Sequence, residues 1–94
     1  MSADYRVFET ADFQKGLREL PGAIPAKIAG KLKVYVYPAL RLQPHFGPNI
    51  RKLRSWKPET WRYRIGRWRF FYEIDEPEKI VYMIALHQRK DAYH

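Results

Sequence analysis

Residues 61–74, WRYRIGRWRFFYEI, alternate aromatic or aliphatic side chains with arginine around a central Ile65-Gly66-Arg67-Trp68 turn. This pattern implies two antiparallel strands joined by a tight turn. With Gly66 and Arg67 as the loop residues, Ile65 is expected to pair with Trp68, Arg64 with Arg69, Tyr63 with Phe70, Arg62 with Phe71 and Trp61 with Tyr72. Paired residues share a face. One side of the hairpin then carries Trp61, Tyr63, Ile65, Trp68, Phe70, Tyr72 and Ile74, and the other carries Arg62, Arg64, Arg69, Phe71 and Glu73. A sheet with one core face and one arginine-rich face asks for an anion.

The rest of the chain supplies the other layers. Residues 5–9 alternate and read as a first strand. Thr10 offers an N-cap, and Phe13, Leu17 and Leu20 place an apolar stripe on a short helix that ends at Pro21-Gly22. A second helix is expected from about Ala23, burying Ile24, Ile28, Leu32 and Val36 with Ala29 and Tyr35 adjoining, until Pro38 stops it. Gly30 inside it costs about 1 kcal/mol relative to alanine and weakens its continuity. Residues 38–50, with three prolines, read as a loop, and 51–55 as a strand. Residues 79–87, KIVYMIALH, form the most apolar run and are expected to be a central strand buried on both faces. The fold class is therefore α+β: an N-terminal strand and helical hairpin packed on one face of a twisted, mostly antiparallel sheet of four or five strands.

At 94 residues the chain is expected to be a single domain, residues 1–94. It has no cysteine, which excludes disulfides and thiolate metal sites. No apolar run approaches a membrane span and the first residues do not resemble a signal peptide, so a cytoplasmic protein without membrane contact is the expectation. The net charge of +8 is concentrated. Between Arg51 and Arg69 stand Arg51, Lys52, Arg54, Lys57, Arg62, Arg64, Arg67 and Arg69 against Glu59 alone, a net +7 in one short window. A basic stripe interleaved with aromatics fits a nucleic acid or another polyanion, and fits equally the solvated outer face of an edge hairpin.

Strand parity in the last strand divides Ile80, Tyr82, Ile84 and Leu86 from Val81, Met83, Ala85, His87 and Arg89. The second set is smaller and ends in polar residues, so it is assigned to the arginine face, with Tyr93 close behind in sequence. An inventory of Arg, Lys, His and Tyr without a carboxylate cluster argues against a two-metal nuclease or a paired-carboxylate glycosidase. It suits metal-independent RNA cleavage without a cofactor. In that reaction the 2′-hydroxyl attacks the adjacent phosphorus, cations stabilise the phosphorane, and one group takes a proton while another returns one to the leaving 5′-oxygen. His87 suits either proton transfer, Tyr93 needs neighbouring cations to act as base, and Arg69 and Arg89 suit phosphate binding. His87 can equally be a hydrogen-bonded structural residue. Trp56, Trp61 and Trp68 are read as packing residues rather than base-stacking platforms. His45 and His94 look like surface residues without partners.

Arg51-Lys52-Leu53-Arg54, the hairpin WRYRIGRWRFFYEID at 61–75, the strand KIVYMIAL and the ending HQRKDAY at 87–93 together resemble the toxins of the RelE/ParE superfamily of bacterial toxin–antitoxin systems. Pro44, Phe46 and Gly47 ahead of them also fit. The resemblance implies the α+β fold above, a cytoplasmic toxin and a cognate acidic antitoxin. In the RelE-like branch it implies mRNA cleavage on the ribosome. By residue matching, Lys52 and Arg54 would supply cations, Arg69 and Arg89 would hold the scissile phosphate, Tyr93 would help activate the 2′-hydroxyl, and Arg51, Arg62, Arg64 and Arg67 would bind RNA. The ParE-like branch instead implies inhibition of DNA gyrase without nuclease activity, and a non-catalytic RNA or antitoxin binder is a further alternative. Many relatives read Gly-His-Arg where this chain reads His87-Gln88-Arg89, which leaves the role of His87 open.

Overall fold

In the computed structural model, which describes residues 4–88, the hairpin has the register its alternation implies. Strands β1 (Arg6–Glu9), β2 (Ile50–Lys52), β3 (Trp61–Ile65), β4 (Trp68–Asp75) and β5 (Ile80–Gln88) form one sheet in the order β1-β5-β4-β3-β2. β1 runs parallel to β5, and every other pairing is antiparallel. All five pairs expected across the hairpin are present, from Trp61 with Tyr72 to Ile65 with Trp68. Gly66 closes the turn at φ 58°, a left-handed conformation that costs glycine no Cβ clash. The strand expected at 51–55 is shorter and earlier, Ile50–Lys52.

Three helices cover one face. In α1 (Ala11–Arg18), the Thr10 hydroxyl accepts from the Phe13 amide at 3.3 Å and donates to the Met83 carbonyl at 2.7 Å. One side chain thus caps the helix and fastens it to β5. Helix α2 (Ile24–Lys31) does not end near Pro38 as expected. It runs through a π-helical stretch, Leu32–Val36, into α3 (Tyr37–Leu42), so only residues after 42 form the loop.

The spacing of the core side chains explains this wider turn. Residues four apart drift by about 40° per step around an α-helix of 3.6 residues per turn, so Ile28, Leu32, Val36 and Leu40 would leave one face. Bonding from the Tyr37 amide to the Leu32 carbonyl, five residues back, absorbs the drift, and all four side chains are buried. Pro38 enters at the start of α3, where a missing amide is tolerated. The irregularity lies here and not at Gly30, while Ala29 and Tyr35, expected to adjoin the core, are exposed.

Against these helices pack Phe70, Tyr72, Val81 and Met83, all fully buried, with Trp61 and Tyr63 beside them. The Tyr72 hydroxyl donates to the buried Pro44 carbonyl at 2.7 Å. Burial holds the Tyr72 phenol well above the usual tyrosine range.

β5 departs from expectation twice. β4, not β5, is the central strand, and β5 is buried on one face only, because among the described residues no second layer covers its other face. Val81 and Met83, assigned to the arginine face, lie in the core. The reason is a β-bulge: Phe71 pairs with Ala85 but Tyr72 with Met83, leaving Ile84 with no residue opposite. Before the bulge Ile80 and Tyr82 face outward; after it Ala85 and His87 do. His87 therefore reaches the arginine face, although Val81 and Met83 do not share it.

Candidate functional site

The uncovered face of the sheet is organised in cross-strand rungs. Arg64 on β3 stands opposite Arg69 on β4, and Arg69 stands opposite His87 on β5. The next rung joins Arg51, Arg62, Phe71 and Ala85 across β2 to β5. Two residues of strand separate the rungs, about 7 Å. Like charges directly opposite one another oppose sheet formation, and here two such pairs lie side by side. Glu73 and Asp75 fall on the same face but at its far end, beyond Phe71.

Among the described residues, no carboxylate pairs with Arg51, Arg62, Arg64 or Arg69. Arg62 is the most constrained of them: its Nε is buried without a hydrogen-bond partner among the described residues. Desolvation, followed by the charges of Arg69, Arg51 and Arg64, depresses the guanidinium's proton affinity below the usual arginine value. An unpaired buried donor on a cation costs about 1–3 kcal/mol or more. An anion with several acceptor oxygens on the open face relieves the mutual repulsion.

Beyond β2 the chain folds back over this face. Arg51, Lys52, Leu53, Arg54, Trp56 and Arg62 line an open groove of about 690 Å3. The Trp56 indole stacks on the Phe71 ring, with centroids 5.9 Å apart and planes at 12°, yet is 53% exposed. Trp56 thus packs at the rim of the sheet, within the basic run from Arg51 to Arg62. Trp61 is buried and Trp68 half-buried, as packing residues should be.

The residues singled out from sequence are thus partly gathered. Arg51, Arg62, Arg64, Arg69 and His87 share the open face, and Arg54 borders the groove. Arg67 is exposed at the hairpin tip. Lys52 pairs with Trp61 on the opposite face, where its ammonium lies 2.7 Å from Glu59 and 5.9 Å from the indole centroid. Arg89 and Tyr93 lie outside the described residues, as does His94.

A second polar cluster lies away from this face. Glu76 accepts from the Tyr5 hydroxyl at 2.9 Å and from Lys79 at 3.1 Å, and contacts His45 Nε2 at 2.7 Å. Those hydrogen bonds, Tyr5 first, hold its carboxyl below the usual glutamate range. His45 is therefore not the partnerless surface residue expected. It is half-buried and packs edge-on against Trp61 at 5.2 Å, joining the loop after α3 to the β4–β5 turn. Among the described residues, no three histidine, cysteine or carboxylate side chains converge as metal ligands, and no helix is long and apolar enough to cross a membrane.

A helical layer lies on one face of a five-stranded sheet and an arginine ladder on the other, the arrangement expected of a RelE/ParE-superfamily toxin. Residues 7–93 match the model of the ParE toxin of type II toxin–antitoxin systems, parDE, and the chain belongs to that family. Among solved structures, the chain is similar to the RelBE2 toxin–antitoxin complex of Mycobacterium tuberculosis, at 24% identity and a TM-score of 0.74 over 97% of this chain and 98% of that one. It is similar to the RelE–RelB complex of Pyrococcus horikoshii OT3 at 23% identity and a TM-score of 0.61, covering 95% and 99%. Isolated RelE of Escherichia coli is matched at 18% identity and a TM-score of 0.63, covering 94% and 87%. No curated protein sequence matches.

Proposed function

We propose that this toxin is a metal-independent, ribosome-dependent endoribonuclease that cleaves mRNA and inhibits translation. The observation that carries the reading is the rung of Arg64, Arg69 and His87, which sets a proton-transfer group directly opposite a guanidinium on rigid strands. In the reaction the 2′-oxygen forms a bond to the adjacent phosphorus and the bond to the 5′-oxygen breaks, leaving a 2′,3′-cyclic phosphate and a 5′-hydroxyl. A base takes the 2′-hydroxyl proton and an acid supplies one to the 5′-oxygen. The extra negative charge on the phosphorane falls where the guanidiniums of Arg69 and Arg64 stand. His87 serves one proton transfer. By resemblance, Tyr93 serves the other and Arg89 joins the clamp.

Arg51, Arg62 and Arg54 lead the flanking strand of RNA along the groove, and Arg67 adds a cation at the hairpin tip. Lys52, turned toward Glu59 and Trp61, is left out of the phosphate site. A cognate acidic antitoxin is the proposed partner in the resting state. The net charge of +8 favours such a partner, and the RelBE2 and RelE–RelB structures named above are toxin–antitoxin complexes.

The family match to ParE toxins favours a second reading, inhibition of DNA gyrase without cleavage. Purified toxin added to programmed ribosomes separates the two. Cleavage predicts new 5′ ends inside codons and 2′,3′-cyclic phosphate products. Intact mRNA together with loss of gyrase supercoiling overturns the ribonuclease reading.

A further inference from the structure

We propose that Trp56, supported by Phe71, is a nucleobase-stacking platform that seats one base of single-stranded RNA beside the phosphate held on the arginine rungs. The inference rests on the ribonuclease reading and adds to it a binding residue and a requirement for unpaired bases.

Three observations converge. Trp56 lies parallel to Phe71, and Phe71 occupies the same rung as Arg62 and Arg51. The indole is thereby backed by a second ring anchored in the central strand, while over half its surface stays open to solvent. Trp56 also lines two adjoining grooves, of about 690 and 460 Å3, so a chain entering either one meets its ring. Finally, the cations around it include Arg51, Arg54 and Arg62, none of which has a carboxylate partner among the described residues.

A large aromatic left half-exposed among cations is poorly solvated and lacks a partner for its outer face. A nucleotide supplies both missing partners, a π-face for the ring and oxygens for the guanidiniums. The rung spacing of about 7 Å keeps a base on Trp56 within one strand step of a phosphate at Arg69. Stacking is tolerant of base identity, so the platform fixes where the strand lies more than which base is chosen. In duplex nucleic acid the base faces are already stacked and cannot serve.

The test uses full-length protein and a short 2′-O-methyl RNA, which cannot be cut by 2′-oxygen attack. Binding is read from fluorescence anisotropy of the labelled oligonucleotide, with a set of oligonucleotides each abasic at one position. Trp56→Ala is expected to weaken binding of the intact strand roughly tenfold, while Trp56→Tyr retains most of it. One abasic position should weaken wild-type binding by the same factor and leave Trp56→Ala binding unchanged, the coupling expected of a direct pair. Loss of the Phe71 stack should lower the Tm of Trp56→Ala by only a few degrees and leave Trp56→Tyr near the wild type, checked by thermal melting.

The platform is overturned if Trp56→Ala binds intact and abasic strands as the wild type does, or if duplex RNA binds as tightly as the single strand. The two proposals fail separately. Wild-type cleavage of mRNA with unchanged binding by Trp56→Ala removes the platform and leaves the ribonuclease. Trp56-dependent binding without cleavage by the wild type does the reverse.

Discussion

The two faces of one sheet follow opposite rules. On the covered face, aromatic and aliphatic side chains are sealed from water, and the deeply buried hydroxyl of Tyr72 has its acceptor at Pro44. On the open face, arginines stand opposite arginines and the Nε of Arg62 is buried unpaired. The same strands supply both, residue by residue. The covered face stabilises the fold enough for the open face to carry an arrangement that opposes it, and local unfavourable placement of this kind marks a surface kept for binding.

Substitutions on the two faces should therefore move different observables. The largest effect is expected for Phe70→Ala, which removes a fully buried ring from the covered face and should cost about 3–5 kcal/mol in urea unfolding. Its open-face neighbour Arg69→Ala should lower the rate of RNA cleavage by about 100-fold or more and leave Tm unchanged or slightly raised. Equal stability losses in these two variants would erase the distinction. Tyr72→Phe should cost about 1–2 kcal/mol, because the buried Pro44 carbonyl loses its donor. Arg62→Met should have the opposite sign, gaining about 0.5–1 kcal/mol through relief of repulsion and of the unpaired Nε. RNA binding by that variant should weaken, with a salt slope shallower by about 0.7 per lost phosphate contact.

The smallest effect concerns pH. The Glu76 carboxyl is depressed, so its contribution is present above the ordinary glutamate pKa of about 4.3 and is lost as pH falls through the lower folded value. Tyr5→Phe removes the main cause of that depression. The variant's stability should fall less steeply in acid than that of the wild type, as measured by urea midpoints between neutral pH and pH 3. A steeper fall would show that Tyr5 does not hold the carboxylate.

Much of this contrast was legible in the residues themselves. The Gly66-Arg67 turn and strict alternation set the hairpin register, and with it the membership of both faces on β3 and β4. Thr10 announced a cap that the structure contains. Two elements were not readable, for the same reason: each breaks a period. The bulge at Ile84 shifts β5 by one residue, so a single parity cannot place both Met83 and His87. The π-helical stretch lets side chains spaced by four remain on one side, and the helix continues past Pro38, the residue expected to stop it. At the site, charge density located the arginines, but no periodicity could place Trp56, whose position depends on how the chain returns after β2. Lys52, expected from residue matching to supply a cation, lines the groove while strand alternation sets it beside Trp61.

The parallel pairing of β1 with β5 bears on when the molecule acquires its working form. Residues 6–9 lie beside 80–83, so during synthesis the early strand must wait for almost the whole domain before it has a neighbour. The rung that holds Arg69 gains His87 at the same late moment. A nascent chain therefore carries its arginines from Arg51 to Arg69 without the completed sheet until the final strand has emerged.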